Sequence, residues 1–186
     1  MNDNFYVMRD YSSTNGLISM INYIEKFRNT KEMRMIEIGS YTGESAVIFA
    51  KYFKEVISVD PFIDNYDEHD IKTLLSNNSS SDAINFSMIY NKFLERTKTF
   101  TNIVNIRLKS DEAILDFKKE FDFVYIDGLH TYEQVKKDII NYYNIINDDG
   151  FIGGHDYNYV KNAINDTIKN VDYTFSDSSW IKKIKI

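Results

Sequence analysis

The sequence predicts an α/β protein with one doubly wound, mostly parallel seven-stranded sheet and helices on both faces. Short apolar runs typical of buried parallel strands alternate with segments whose apolar residues recur every three or four positions. The last two apolar runs are separated by only four polar residues, 176–179, which is too short for a helical crossover. The last strand is therefore expected to run antiparallel to its neighbour. At 186 residues the chain fits a single domain, 1–186.

The predicted elements follow in the order helix, then five strand–helix units, then two strands. Asp111 and Thr131 stand where helix N-caps belong, and Asp148 to Gly150 predicts a turn. Residues 1–32 are expected to form an N-terminal helical cap, and 62–81 a lid or flexible loop. The predicted strands are 33–38, 56–60, 103–108, 121–127, 151–152, 171–175 and 180–186. The predicted helices are 17–27, 43–53, 82–97, 111–119, 132–146 and 157–169.

The composition excludes several classes of protein. Asp and Glu outnumber Lys and Arg by 28 to 22, with a net charge of −6, whereas a dedicated nucleic-acid binder is normally basic. Without cysteine there can be no disulfide, iron–sulfur cluster, zinc finger or thiol nucleophile. The polar start does not read as a signal peptide, and no apolar run approaches a membrane span. We therefore expect a cytoplasmic protein with no nucleic-acid or membrane partner; a homo-oligomer is compatible with the sequence.

The segment from Glu37 to Gly43 reads as a binding loop between a strand and a helix. Its two glycines, Gly39 and Gly43, stand where the backbone must turn tightly and a ligand can approach closely. Tyr41 occupies the position of the second glycine of a dinucleotide fingerprint and would block a pyrophosphate. A P-loop is excluded as well, because Glu44 follows Gly43 instead of Lys. The alternative is that both glycines only form a tight turn.

Acidic residues around this loop favour a cationic ligand without phosphates. Glu37 and Glu44 lie at its two ends, where they would repel phosphate groups. Asp60 ends the next strand, at a position where an acid can accept hydrogen bonds from both ribose hydroxyls of a nucleoside.

A second candidate site follows two later strands. Asp127 and His130 come after the run 121–127, and His155 and Asp156 come after 151–154. All carboxyl ends of a parallel sheet face one crevice, so we expect these residues to meet beside the glycine loop. Carboxylates there suit Mg²⁺, and a histidine can act as a general base. The alternatives are that Asp127 caps the next helix and that His155 is a hydrogen-bonded packing residue.

Through Glu-Ile-Gly-Ser-Tyr-Thr-Gly at 37–43 and Val-Asp-Pro-Phe at 59–62, the chain resembles the class I S-adenosylmethionine-dependent methyltransferases, which have a Rossmann-like fold. The resemblance implies that the loop wraps the methionine half of the cofactor and that Asp60 holds its ribose. It also implies that adenine lies near Lys109, Ser110 and Asp111. The cofactor-binding residues it implies are Glu37, Gly39, Ser40, Tyr41, Gly43, Asp60, Pro61, Ser110 and Asp127.

The string Asp-Phe-Val-Tyr-Ile-Asp-Gly-Leu-His-Thr-Tyr at 122–132 resembles, more narrowly, small-molecule O-methyltransferases that act on sugar hydroxyls, and more distantly the metal-dependent catechol O-methyltransferases. This resemblance implies a divalent metal, Mg²⁺ or Mn²⁺, held by Asp127 and Asp156, with His130 as the base. The sugar enzymes tend to show two adjacent acids where this chain has His155 and Asp156. As a nitrogen ligand His155 would favour Mn²⁺, Fe²⁺ or Zn²⁺ over Mg²⁺; otherwise it would not bind the metal.

The sequence therefore predicts methyl transfer from S-adenosylmethionine to a hydroxyl of a small molecule, with a sugar or glycan unit favoured. Rival interpretations are a methyltransferase acting on nitrogen or on a macromolecule without metal, and a non-catalytic subunit that binds the cofactor. A nicotinamide oxidoreductase is disfavoured by Tyr41.

Overall fold

The computed structural model describes residues 9–63 and 85–185. The strands of these ranges form one seven-stranded sheet in the order β3-β2-β1-β4-β5-β7-β6. Strands β1 to β5 are mutually parallel, and β7 lies antiparallel between β5 and β6. The predicted sheet and its antiparallel last strand are confirmed. The strands are β1 Arg34–Ile38, β2 Glu55–Val59, β3 Ile103–Ile106, β4 Phe121–Ile126, β5 Ile146–Gly154, β6 Tyr173–Thr174 and β7 Trp180–Lys183.

Six α-helices are described within these ranges, and their starts follow local capping chemistry. The first begins six residues before the predicted start, because the Asp10 carboxylate accepts a hydrogen bond from Ser13 N at 2.8 Å. Thr131 is an N-cap, as predicted, and its hydroxyl accepts from Gln134 N. The helices are α1 Tyr11–Glu25, α2 Glu44–Tyr52, α3 Phe86–Thr97, α4 Ser110–Ala113, α5 Tyr132–Tyr143 and α6 Tyr157–Ile168.

Two local predictions were wrong. The N-cap of α4 is Lys109, and Asp111 lies in the first turn of a helix that gives way to a 3₁₀ turn, Ile114–Asp116. Residues 148–150 belong to β5, where the pairing with β4 shifts register between Phe121 and Phe123. Asp149 has φ +59° at this irregularity. A bulge uses the same turn-forming residues as a loop, so the sequence pattern alone does not distinguish them.

Alternate side chains of the sheet pack against helices on opposite faces. On β1, Met35 belongs to the cluster formed with α1 and α2, and Ile36 to the cluster formed with α5 and α6. This confirms helices on both faces. The predicted 1–32 cap is described from residue 9 onward, and α1 buries Leu17 and Met20 in the core. Of the predicted 62–81 lid, residues 64–81 lie outside the described residues.

None of the helices in the described ranges has the length and apolar character needed to span a membrane.

Candidate functional site

The turn after β1 requires glycine at two positions. Gly39 has φ +86° and Gly43 has φ +79°, a left-handed conformation that most side chains disfavour. A Cβ atom on Gly39 would lie 2.1 Å from the carbonyl oxygen of Asp127. Gly43 is the N-cap of α2. The tight turn accounts for both glycines by itself, and it brings the end of β1 into contact with the end of β4.

The carboxylate of Asp60 fixes the conformation of this loop. It accepts hydrogen bonds from the backbone N–H groups of Ser40 at 3.0 Å, Tyr41 at 2.9 Å and Phe62 at 2.9 Å. Burial raises the pKa of Asp60, although the three N–H groups oppose that rise. A carboxylate has about four acceptor positions, so about one remains for a ribose hydroxyl. Pro61 follows, and its carbonyl accepts from the Arg107 guanidinium at 3.4 Å.

Glu37 is a fully buried acid directly below the loop. Its side chain is 0% exposed, and Oε2 accepts a hydrogen bond from the Ser58 hydroxyl at 3.1 Å. Burial raises the pKa of Glu37 to about 7, against the opposing effects of the Ser45 hydroxyl and the Arg9 charge. The other carboxylate oxygen, Oε1, has no hydrogen-bond partner among the described residues.

Arg9 contacts residues at the carboxyl end of β4 and the start of α2, and the sequence did not predict this role. Its Nη2 donates to Asp127 Oδ2 at 2.8 Å and to the Tyr125 hydroxyl at 3.3 Å, and its backbone N–H donates to the Glu44 carboxylate. The side chain is 10% exposed. Burial opposes a charged guanidinium, but Tyr125 and Asp127 outweigh it, so the pKa of Arg9 is raised. No signal in the sequence marks Arg9, because it lies in a polar segment without a motif.

The predicted residues of the second site meet at the ends of β4 and β5. His130 Nε2 lies 3.1 Å from Asp156 Oδ2 and 3.5 Å from Asp127 Oδ1. One ligand atom from each of Asp127, His130 and Asp156 lies within 4.8 Å of the others, which is suitable for holding a metal ion. His155 Nδ1 is 3.2 Å from Asp156 Oδ2 and 3.9 Å from Asp127 Oδ1. All four residues are thus brought together.

The electrostatics of this cluster favour ionised carboxylates. Burial alone would raise the pKa of Asp127, but the His130 hydrogen bond and the His155 and Arg9 charges hold it below its usual value. The pKa of Asp156 is also lowered, because its bonds to His130 and His155 outweigh burial. The pKa of His155 is raised, since Asp156 and Asp127 overcome the opposing effect of burial. Two anionic carboxylates beside two imidazoles form a site able to bind a cation.

Neither acid of the cluster caps a helix. Thr131 caps α5, so Asp127 is not needed for that role. Asp156 stands at the N-cap of α6, but its side chain makes no capping bond and its φ is +54°. A non-glycine residue in this conformation costs about 1–3 kcal/mol and is retained where the surroundings enforce it, often at functional sites.

His155 and Ser110 have structural partners. The backbone N–H of His155 donates to Ile126 O, and its carbonyl accepts from Trp180 Nε1 at 3.2 Å. The hydroxyl of Ser110 accepts from Gln134 Nε2, and its carbonyl accepts from the Tyr142 hydroxyl. These bonds are compatible with the packing interpretation of His155. The role of Ser110 in adenine binding stays a prediction.

A sequence profile described as a methyltransferase domain matches residues 36–157, more than half of the chain, from within β1 to the first residue of α6. The chain therefore belongs to the methyltransferase-domain family. No curated protein sequence matches it.

Solved structures share the fold at low sequence identity. The N-methyltransferase NodS from Bradyrhizobium japonicum WM9, in complex with S-adenosyl-L-homocysteine, has a TM-score of 0.62 and 11% identity, over 98% of this chain and 92% of that one. An rRNA methylase from Streptococcus thermophilus has a TM-score of 0.62 and 10% identity, over 96% and 99%.

The YcgJ protein from Bacillus subtilis has a TM-score of 0.50 and 18% identity over 75% of this chain, and the chain spans 49% of its length. At identities this low, the structural similarity shows a shared fold alone and leaves the acceptor open. Because one neighbour is an rRNA methylase, the expected absence of a nucleic-acid partner stays a prediction.

Proposed function

We propose that this protein transfers a methyl group from S-adenosylmethionine to a hydroxyl of a small molecule, with a sugar or glycan unit as the favoured acceptor. The observation that carries the proposal is the cluster of Asp127, His130 and Asp156 beside the Gly39 turn. A base and two carboxylates suit an acceptor that must lose a proton, and the turn lies against Asp127 itself.

The residues around the loop fit the cofactor. A positively charged sulfonium without phosphates suits a loop flanked by acidic residues, the fully buried Glu37 and the partly buried Asp127. Gly39 leaves the backbone accessible because it has no side chain, and Asp60 keeps about one acceptor position for the ribose. Ser40, Tyr41, Gly43 and Pro61 complete the loop, and Ser110 stands at the carboxyl end of β3, where adenine is expected.

The donor set also fits a divalent metal. Asp127 and Asp156 would supply oxygen atoms. With His130 kept as the base, the nitrogen would come from His155, whose Nδ1 lies 3.2 Å from Asp156 Oδ2 and 3.9 Å from Asp127 Oδ1. This combination suits Mn²⁺ and, with water, Mg²⁺. A metal bound there would supply Lewis acidity that lowers the pKa of an acceptor hydroxyl.

His130 is the base in this proposal. Its imidazole takes up the acceptor's proton while the oxygen–methyl bond forms and the methyl–sulfur bond breaks, which leaves S-adenosylhomocysteine and a methyl ether. Asp127 and Asp156 lie at 3.5 and 3.1 Å from Nε2, where they stabilise the resulting imidazolium. Holding the oxygen, methyl carbon and sulfur in line contributes much of the acceleration.

The test is the release of S-adenosylhomocysteine with a panel of acceptors: free and nucleotide-linked sugars, catechol, primary amines and an RNA oligonucleotide. We expect turnover with a hydroxyl acceptor, its loss on treatment with EDTA and its recovery with Mg²⁺ or Mn²⁺. Metal-independent turnover on amines or RNA would instead support the rival methyltransferases. Cofactor binding without turnover on any acceptor would support a non-catalytic subunit.

A further inference from the structure

Two buried groups of opposite charge lie next to the glycine turn, and each has an unused hydrogen-bonding atom. Arg9 Nη1 and Glu37 Oε1 are both buried and have no partner among the described residues. An unpaired buried polar atom costs about 1–3 kcal/mol, more when it is charged, so two such atoms at one place need an explanation.

Arg9 and Glu37 do not satisfy each other, although they are near neighbours. The two charges are close enough for each to shift the pKa of the other in the direction of attraction. Tyr125, which binds Arg9 Nη2, is also the direct partner of Glu37 in the pairing of β1 with β4. No salt bridge joins Arg9 to Glu37 within the part of the chain that the structure describes, where Arg9 pairs with Asp127 instead.

The guanidinium of Arg9 is hydrogen-bonded through one of its two Nη atoms. Nη2 is fixed by Asp127 and Tyr125, and the backbone of Arg9 is fixed by Glu44 in the first turn of α2. Nη1 is the Nη atom of Arg9 that has no acceptor among the described residues. A planar guanidinium binds a carboxylate well because its N–H groups match the spacing of the two oxygens.

A ligand that bears a carboxylate and an ammonium on one carbon atom offers an acceptor for Arg9 Nη1 and a donor for Glu37 Oε1. We infer that Arg9 binds the α-carboxylate of the methionyl group of S-adenosylmethionine, while Glu37 accepts a hydrogen bond from its α-ammonium. This inference rests on the proposed function, since it assumes that S-adenosylmethionine is the ligand. It adds a specificity-determining residue from the segment before α1, far from the glycine loop in sequence.

The test compares three ligands by calorimetry at pH 8: S-adenosylmethionine, decarboxylated S-adenosylmethionine, which lacks only the carboxylate, and 5′-methylthioadenosine, which lacks the whole amino-acid end and the sulfonium charge. For the wild type we expect decarboxylation to weaken binding by ~10–100-fold, the usual range for a charge-assisted hydrogen bond. Equal affinity of the wild type for the first two ligands would overturn the inference without needing any variant.

Variants of Arg9 and Glu37 test which residue accounts for the loss of affinity on decarboxylation. In Arg9→Gln, we expect S-adenosylmethionine and its decarboxylated form to bind alike, with the affinity for 5′-methylthioadenosine unchanged. In Glu37→Gln, both ligands that carry the ammonium should weaken and the tenfold or greater preference for the carboxylate should persist. Arg28→Gln is the matched control, because Arg28 pairs with Asp122 at the opposite edge of the sheet.

The outcomes separate the two proposals. If Arg9→Gln weakens all three ligands equally, or none, Arg9 is only a counter-ion of Asp127 and the inference is wrong while the proposed function stands. If the wild type binds none of the three ligands, the proposed function fails and the inference fails with it. Arg9→Lys, which keeps the charge on Asp127 but loses the planar fork, replaces Arg9→Gln if the latter does not fold by circular dichroism.

Discussion

Gly39 packs against the backbone of Asp127 so closely that a Cβ atom would come within 2.1 Å of the Asp127 carbonyl oxygen. The backbone N–H of Asp127 in turn donates to Ile38 O at 2.8 Å. The end of β1 therefore joins the end of β4 directly. The loop proposed to bind the methyl donor and the cluster proposed to activate the acceptor share this contact.

Gly39→Ala should destabilise the protein. The left-handed backbone alone costs about 1–3 kcal/mol, and the clash with a backbone atom adds to it. The free energy of unfolding in urea measures the loss. Gly128→Ala is the control, because its nearest new contact is Ile38 Cγ2 at an ordinary 3.4 Å. Similar losses in the two variants would contradict this account of the turn.

Asp60→Ala should weaken S-adenosylmethionine binding and also lower stability. The substitution leaves three backbone N–H groups without their acceptor, and hydrogen bonds to a charged group contribute about 1.5–3 kcal/mol each. Calorimetry and urea unfolding measure the two effects. The control is Asp148→Ala, which removes an exposed acid whose ion-pair partner in the described ranges is Lys119. Unaltered cofactor affinity in Asp60→Ala would refute the ribose assignment.

His130→Ala should lower turnover by ~10²–10⁴-fold, the usual contribution of a general base, while S-adenosylmethionine affinity is kept. The same preparation should retain Mn²⁺ affinity, because the proposed ligands are Asp127, His155 and Asp156. His155→Ala is the comparison, and there Mn²⁺ affinity should fall. If His130→Ala instead loses the metal, His130 is a ligand and not the base; unchanged turnover would remove it from the mechanism.

Asp156→Asn should weaken Mn²⁺ binding and also lower stability, because the neutral amide loses the attraction to His130 and His155 that lowers the pKa of Asp156. Asparagine tolerates the left-handed backbone at this position and keeps the volume of the side chain, so the variant removes mainly the charge. Mn²⁺ titration followed by electron paramagnetic resonance measures the affinity. In Asp148→Asn, at the opposite edge of the sheet, we expect no change. An Asp156→Asn protein with wild-type Mn²⁺ affinity would exclude Asp156 as a ligand.

Asp138 makes stability depend on pH. It is 1% exposed, and burial raises its pKa to about 6, although its bond to Gln134 opposes the rise. The folded state then binds more protons than the unfolded state between about pH 4 and pH 6, so stability falls as pH rises through this range. Two pKa units correspond to ~3 kcal/mol.

Asp138→Asn should therefore be more stable than the wild type at pH 7.5 by up to ~3 kcal/mol, because the neutral amide carries no desolvated charge. The difference should narrow at pH 5, where the wild-type carboxyl is largely protonated. Urea unfolding of both proteins at the two pH values tests this. A difference independent of pH would show that Asp138 does not titrate in this range.

The sequence predicts the sheet and the convergence of the second site because both follow from periodic patterns. Parallel strands bring their carboxyl ends to one edge of the sheet whatever the conformation of the loops, so the strand order alone brings Asp127 and Asp156 together. The bulge at Asp149 was missed because a bulge and a turn use the same residues. Arg9 was missed because its contact with Asp127 is fixed only by tertiary packing, 118 positions along the chain.

The carboxylate of Asp127 faces two directions. Oδ2 receives the Arg9 guanidinium at 2.8 Å, and Oδ1 faces His130 and His155. The carboxylate of Asp127 thus lies between the proposed S-adenosylmethionine site and the proposed metal site. A ligand that binds Arg9 therefore changes the electrostatic attraction between Asp127 and a metal. Occupancy of the two sites is then thermodynamically linked, and reciprocity requires that the metal alter the affinity for S-adenosylmethionine by the same factor as S-adenosylmethionine alters the affinity for the metal.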